Sequence, residues 1–90
     1  MKSSKNDLKK IRDEIDRIDS KLVQLLNERA KSILKVKALK SKADMHFYAP
    51  HREREVYRRV ARLNRGPLPI EVLNNIYCEI MSGSLALEAR

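Results

Sequence analysis

There is no tryptophan in this chain, a single cysteine, two glycines and three prolines. Each shortage excludes something. Cys78 has no partner for an intrachain disulfide, and beside Tyr77 and Ile80 it reads as a small core residue. Aromatics at 4% and charged residues at 36% suit helices and not sheets. So few glycines leave no Gly-rich phosphate loop, and there is no nucleophile–base motif, repeat or low-complexity stretch. His46 and His51 lack the cysteine or further histidine partners of a metal set. No apolar run is long enough to span a bilayer, and the first ten residues lack the apolar region of a signal peptide, so a cytoplasmic protein is expected.

What the chain does have is charge. It carries 20 Lys and Arg against 12 Asp and Glu, a net +8. Such a surplus suits an anionic partner. Asp7, Asp13, Glu14, Asp16, Asp19 and Glu28 are mixed among the bases of the N-terminal stretch, so no face there is purely basic. Exposed aromatics are not interleaved with the bases either. The pattern speaks against nucleic acid and against a membrane surface, and leaves a small polyanion.

Apolar residues at three- and four-residue steps (Leu8, Ile11, Ile15, Ile18, Leu22, Leu25, Ile33, Val36) predict one helix over residues 6–42, with no Pro or Gly inside it. Residues 1–5 are expected to be flexible. Lys35, Lys37, Lys40 and Lys42 suit the negative end of that helix, and Lys35, Lys37 and Lys42 read as solvated charges. After a connector in which Tyr48 reads as a packing residue, Pro50 opens a second helix over 50–64, ended by Gly66, with Val56, Val60 and Leu63 inward. The stiff Gly66-Pro67-Leu68-Pro69 link leads to a third helix over 69–89, with Leu73, Ile76, Tyr77, Ile80 and Met81 inward. The expected fold is all-α: three helices per chain, one very long, as a single domain over 1–90. A helix of 37 residues spans roughly 55 Å, more than two shorter helices can cover. The leftover stripe predicts a homodimer.

Several positions on these inward faces are polar. The first stripe passes through Arg29 and Lys40, which are eleven residues and so roughly 20° apart around the axis, and about 16 Å apart along it. The second stripe extends back to Glu53, and the third runs on to Ser84 and Glu88. A buried cation is expensive without an anion. An Arg fork and a Lys point charge are standard holders of carboxylate or phosphate. The set predicts a buried site for a small dianion that also carries hydroxyl or ether oxygens, with any catalysis by positioning and electrostatics.

These residues also carry a family resemblance. The run Ile11-Arg12-Asp13-Glu14-Ile15-Asp16-Arg17-Ile18-Asp19, then Leu22, Leu25, Leu26 and Asn27-Glu28-Arg29-Ala30, resembles the first helix of the all-helical chorismate mutases. So do Val36, Ala38 and Lys40, and Tyr48-Ala49-Pro50-His51-Arg52-Glu53; the final helix matches more loosely. The resemblance covers residues 6–88. It implies an intertwined helical homodimer and a cofactor-free Claisen rearrangement of chorismate to prephenate, a step toward the aromatic amino acids. It further implies that Arg29 binds one substrate carboxylate and that Arg12 of the partner chain binds the other. Arg12 and Arg29 of one helix are about 25 Å apart, too far to share a small ligand, which agrees with that division. Lys40 is implied to contact a carboxylate and the ether oxygen, Glu53 to accept the ring hydroxyl with help from the Ala49 N–H, and Arg52 and Ser84 to support the carboxylate end. Glu88 falls where the family donates a hydrogen bond to the ether oxygen. A carboxylate cannot donate, so the working form of Glu88 is expected to be protonated and the rate to rise toward acidic pH.

Other readings stay open beside this one: an isochorismate pyruvate-lyase, a non-catalytic module that binds chorismate or prephenate and regulates another enzyme of the shikimate pathway, or a coiled-coil or nucleic-acid protein.

Overall fold

The structure, a computed structural model, describes residues 2–90, with side chains from Ser4 onward. Met1, part of the stretch expected to be flexible, lies outside the described residues. Three helices follow in order: α1 (Lys2–Lys42), α2 (Pro50–Leu63) and α3 (Ile70–Ala89). The all-α expectation of one very long and two shorter helices holds. The start of α1 differs, because helix continues back to Lys2 where flexible chain was expected. No Pro or Gly in that stretch stops it.

Contacts group the chain into two compact units, Met1–Ser32 and Ile33–Arg90. The first is α1 alone. Its stripe residues Leu8, Ile11, Ile15, Ile18, Leu22 and Leu25 are between 47% and 59% exposed. A helix with one uncovered apolar face draws its stability from whatever packs on that face.

The second unit holds the last turns of α1 together with α2 and α3. The C-terminus of α1 closes in a Schellman turn: the Met45 N–H bonds the Lys40 carbonyl at 2.8 Å and the Asp44 N–H bonds the Ser41 carbonyl at 3.3 Å. Asp44 takes the left-handed conformation, φ 56°, that this motif requires and that Gly or Asn usually fills. Pro50 then opens α2, and the Glu53 N–H closes the first helical bond on the Ala49 carbonyl at 3.1 Å. Glu53 lies in the first turn of α2, where the N-terminal dipole favours an anion.

The expected stop at Gly66 comes earlier. Asn64 leaves the helix with extended backbone, and its side chain ties the link down, accepting from the Gly66 N–H and donating to the Leu68 carbonyl, both at 3.0 Å. Gly66 supplies the left-handed φ of 71° that the turn then needs. Pro69 is the residue before α3, not its first helical residue.

Val56 and Val60 of α2 meet Met81 of α3, with Tyr57, Leu73 and Tyr77 packed around them. This small core corrects four expectations. Leu63 is 63% exposed, because the core covers only the middle of α2. Ile76 is likewise exposed rather than inward. Tyr48 is 60% exposed and so is no packing residue within this chain. Cys78 is exposed, on the flank of α3 beside Tyr57 and away from its buried face.

Candidate active site

Within the second unit the structure brings together two of the predicted site residues. The Lys40 ammonium lies 3.5 Å from Glu88 Oε2, with side chains only 17% and 8% exposed. The same ammonium donates to the Phe47 carbonyl at 2.8 Å. The Schellman turn makes this possible, because it folds residues 45–49 back over the helix end that carries Lys40. Phe47 has no sequence signature for this role, since every residue owns a carbonyl.

Glu88 is the one charged side chain classed as buried among the described residues, and its Oε2 makes no hydrogen bond. An oxygen so enclosed normally finds a donor or acceptor. The contact with Lys40 is an ion pair without hydrogen-bond geometry, so the oxygen retains unused bonding capacity directed toward the Lys40 ammonium.

The other predicted residues of this unit are placed less uniformly. Ala49 is half-buried and Glu53 is half-buried one turn into α2. Ser84, half-buried one turn before Glu88, donates to the Ile80 carbonyl at 2.9 Å. Arg52 points elsewhere: it is exposed, and its Nη1 lies 3.6 Å from Glu55 Oε1. His51 Nε2 stands 4.0 Å from the other oxygen of the same carboxylate. Arg12 and Arg29 belong to the first unit, Arg12 exposed and Arg29 half-buried.

Tyr57 adds a group that the sequence did not single out. Desolvation first, then its hydrogen bond to the Cys78 thiol, then the nearby charges of Cys78 and Glu53, push its hydroxyl above the ordinary 10.0. Its position four residues after Glu53 was the available signal. Lys37, expected to be solvated, is half-buried, and its Nζ donates to the backbone oxygen of Arg90 at 2.5 Å. Among the described residues no three His, Cys, Asp or Glu side chains form a metal-binding group, and no helix is long and apolar enough to cross a membrane.

A partly buried cation beside a buried carboxyl can hold an anionic ligand and offer hydrogen bonds to a neutral oxygen of that ligand. Residues 11–89 match the model of the family described as chorismate mutase type II. A bifunctional chorismate mutase/prephenate dehydratase of Aquifex aeolicus is 46% identical, over 93% of this chain and 24% of that protein. The bifunctional chorismate mutase/prephenate dehydratase of Neisseria gonorrhoeae is 43% identical, over 86% of this chain and 21% of that protein. The chain therefore spans about a quarter of the length of these curated relatives. The structure of chorismate mutase (form II) from Thermus thermophilus superposes with a TM-score of 0.90 at 31% identity, over 92% of this chain and 94% of that one. On the extent of these matches, the chain belongs to the chorismate mutase type II family.

Proposed function

We propose that this chorismate mutase domain converts chorismate to prephenate by a cofactor-free Claisen rearrangement, in which one C–O bond breaks as one C–C bond forms and no atom is gained or lost. The observation that carries the reading is the buried Lys40–Glu88 pair with its unbonded carboxyl oxygen. Lys40 binds a substrate carboxylate and faces the breaking ether oxygen. Glu88, in its protonated form, donates to that same oxygen. Both interactions strengthen as negative charge develops there, so they favour the transition state over the substrate. Arg29 takes one carboxylate, and Arg12 of a second copy takes the other. Glu53 and the Ala49 N–H hold the ring hydroxyl, and Ser84 supports the carboxylate end. Arg52 joins them once the incoming carboxylate competes with Glu55 for its guanidinium.

The same reading makes the protein a cytoplasmic homodimer. The half-exposed stripe from Leu8 to Leu25 supports it, since a second copy of that stripe is the simplest surface to cover it. The relatives' second activity suggests a partner enzyme of the shikimate pathway, on the same polypeptide or apart from it.

The test is to mix purified protein with chorismate at several pH values, follow the loss of substrate absorbance and identify the product. Prephenate is the expected result. Saturable binding without turnover would make the chain a regulatory module, and pyruvate release from isochorismate would make it a lyase. Neither turnover nor binding would overturn the reading.

A further inference from the structure

The cations of this chain are sorted by type. No lysine follows Lys42, and α2 with the link after it takes its positive charge from Arg52, Arg54, Arg58, Arg59, Arg62 and Arg65. The acids of α2, Glu53 and Glu55, lie near its start, and none falls between Val56 and Arg65. α1 is built otherwise: acids are mixed among its bases, and Lys9 meets Asp13 one turn on at 3.1 Å. On α2 the carboxylate of Glu55 is already faced by Arg52 and His51. Among the described residues Arg54, Arg58 and Arg62 have no ion pair or hydrogen bond. They follow at four-residue steps and so form one row, with neighbours about 6 Å apart along the axis. All three are exposed, on the side of α2 opposite Val56 and Val60, which face the core. Like charges one turn apart repel, so the row costs the helix stability and nothing within the chain offsets it. Ala61, also exposed, lies beside Arg58 and leaves room for a second backbone to approach between the guanidinium groups.

The chemistry of the row selects its occupant. Guanidinium forks take carboxylate or phosphate in pairs of hydrogen bonds. Carboxylates at four-residue steps on a facing helix repeat at the same spacing of about 6 Å. A nucleic acid strand would call for aromatic platforms or side chains that read base edges. The one aromatic of α2, Tyr57, is packed against the core, and α2 contains no Lys, Ser, Thr, Asn or Gln. We propose that the row of Arg54, Arg58 and Arg62 is a docking surface for a protein partner that presents an acidic helix with carboxylates at four-residue steps. None of the three arginines belongs to the candidate active site, so the proposal stands or falls apart from the reaction assigned above.

The experiment measures binding of a fluorescent helical peptide of about 20 residues, alanine-based with Glu at every fourth position, to the full chain by anisotropy at about 0.15 M salt. Arg58→Gln with Arg62→Gln is expected to weaken binding about tenfold or more, and to leave chorismate turnover at the parent level. Arg58→Lys with Arg62→Lys keeps the charge and removes the forks, and is expected to lose nearly as much. Lys31→Gln with Lys35→Gln removes equal charge at the same spacing from exposed positions of α1, and is expected to cost less than about threefold. Equal loss from the α1 pair would reduce the effect to net charge and overturn the proposal. So would parent-like binding by the lysine variant, or equal affinity for a peptide with its Glu residues in one block. Tighter binding of an oligothymidylate of the same charge would make the row a nucleic-acid surface. A shift in oligomeric state on Arg58→Gln with Arg62→Gln would mean that a second copy of this chain covers it. Absence of peptide binding by the parent would overturn the proposal outright.

Discussion

At the scale of single residues, Lys40 and Glu88 set the expected chemistry. If the Glu88 side chain donates to the ether oxygen, Glu88→Gln, an amide that can donate, should keep turnover, whereas Glu88→Ala should lose about 10²-fold in kcat; steady-state rates check this. If Lys40 faces the breaking ether oxygen as proposed, Lys40→Met should drop kcat about 10²–10³-fold. The same change leaves the buried Glu88 side chain without its cation, so urea unfolding should show a loss of up to about 3 kcal/mol. Tyr57 makes a prediction for alkaline pH. Its hydroxyl is held above the ordinary 10.0 in the fold, so the fold favours the protonated phenol. That contribution is complete below pH 10 and is lost as pH rises through the folded value. Thermal unfolding above pH 10 should therefore be less pH-sensitive in Tyr57→Phe than in the parent.

The turn after α1 is the element on which the candidate site depends. It closes on Asp44, a residue with a Cβ in a left-handed conformation. Asp44→Gly should stabilise the protein by about 0.5–1 kcal/mol, the relief of strain being offset in part by the freer unfolded chain. Denaturant midpoints measure this. Turnover should be unchanged, because the Met45-to-Lys40 backbone bond that aims the loop over Lys40 needs only the turn. The end of α2 follows the same logic. Asn64 stops the helix and its amide braces the link, so the start of α3 is placed by a side chain rather than by Gly66 alone.

For the whole molecule, the issue is how the exposed helical stripe of α1 and its Arg12 become useful. If Arg12 serves the site of a second copy, Arg12→Ala and Arg29→Ala each inactivate the protein alone. Mixed after unfolding and refolding together, they form heterodimers with one site carrying both lesions and one intact. Random pairing should then restore about a quarter of the parent activity. Activity absent from the refolded mixture would place Arg12 in its own chain's site or outside any site.

Much of this protein followed from its sequence. Uninterrupted three- and four-residue steps, with Pro50 and Pro69 at the breaks, determined three helices and fixed the end of α1, the start of α2 and the end of α3. The same steps marked Lys40 and Glu88 as polar residues on inward faces, because a charge on an apolar stripe is costly enough to be noticed without coordinates. The tertiary structure decided the rest. Periodicity says which face of a helix is apolar, not how much of it a neighbour covers, so only packing revealed that Leu63, Ile76 and Cys78 lie outside the small core of Val56, Val60 and Met81. Lys35, Lys37 and Lys42 look alike as residues, yet Lys37 alone among them is given an acceptor, by the backbone oxygen of Arg90. The Phe47 carbonyl is as anonymous in sequence as any other, and became a partner of Lys40 only because a left-handed Asp44 turned the chain back over it. Side-chain pattern is written residue by residue, whereas the partners of backbone groups and long flexible cations depend on where distant segments meet, and only the fold sets that.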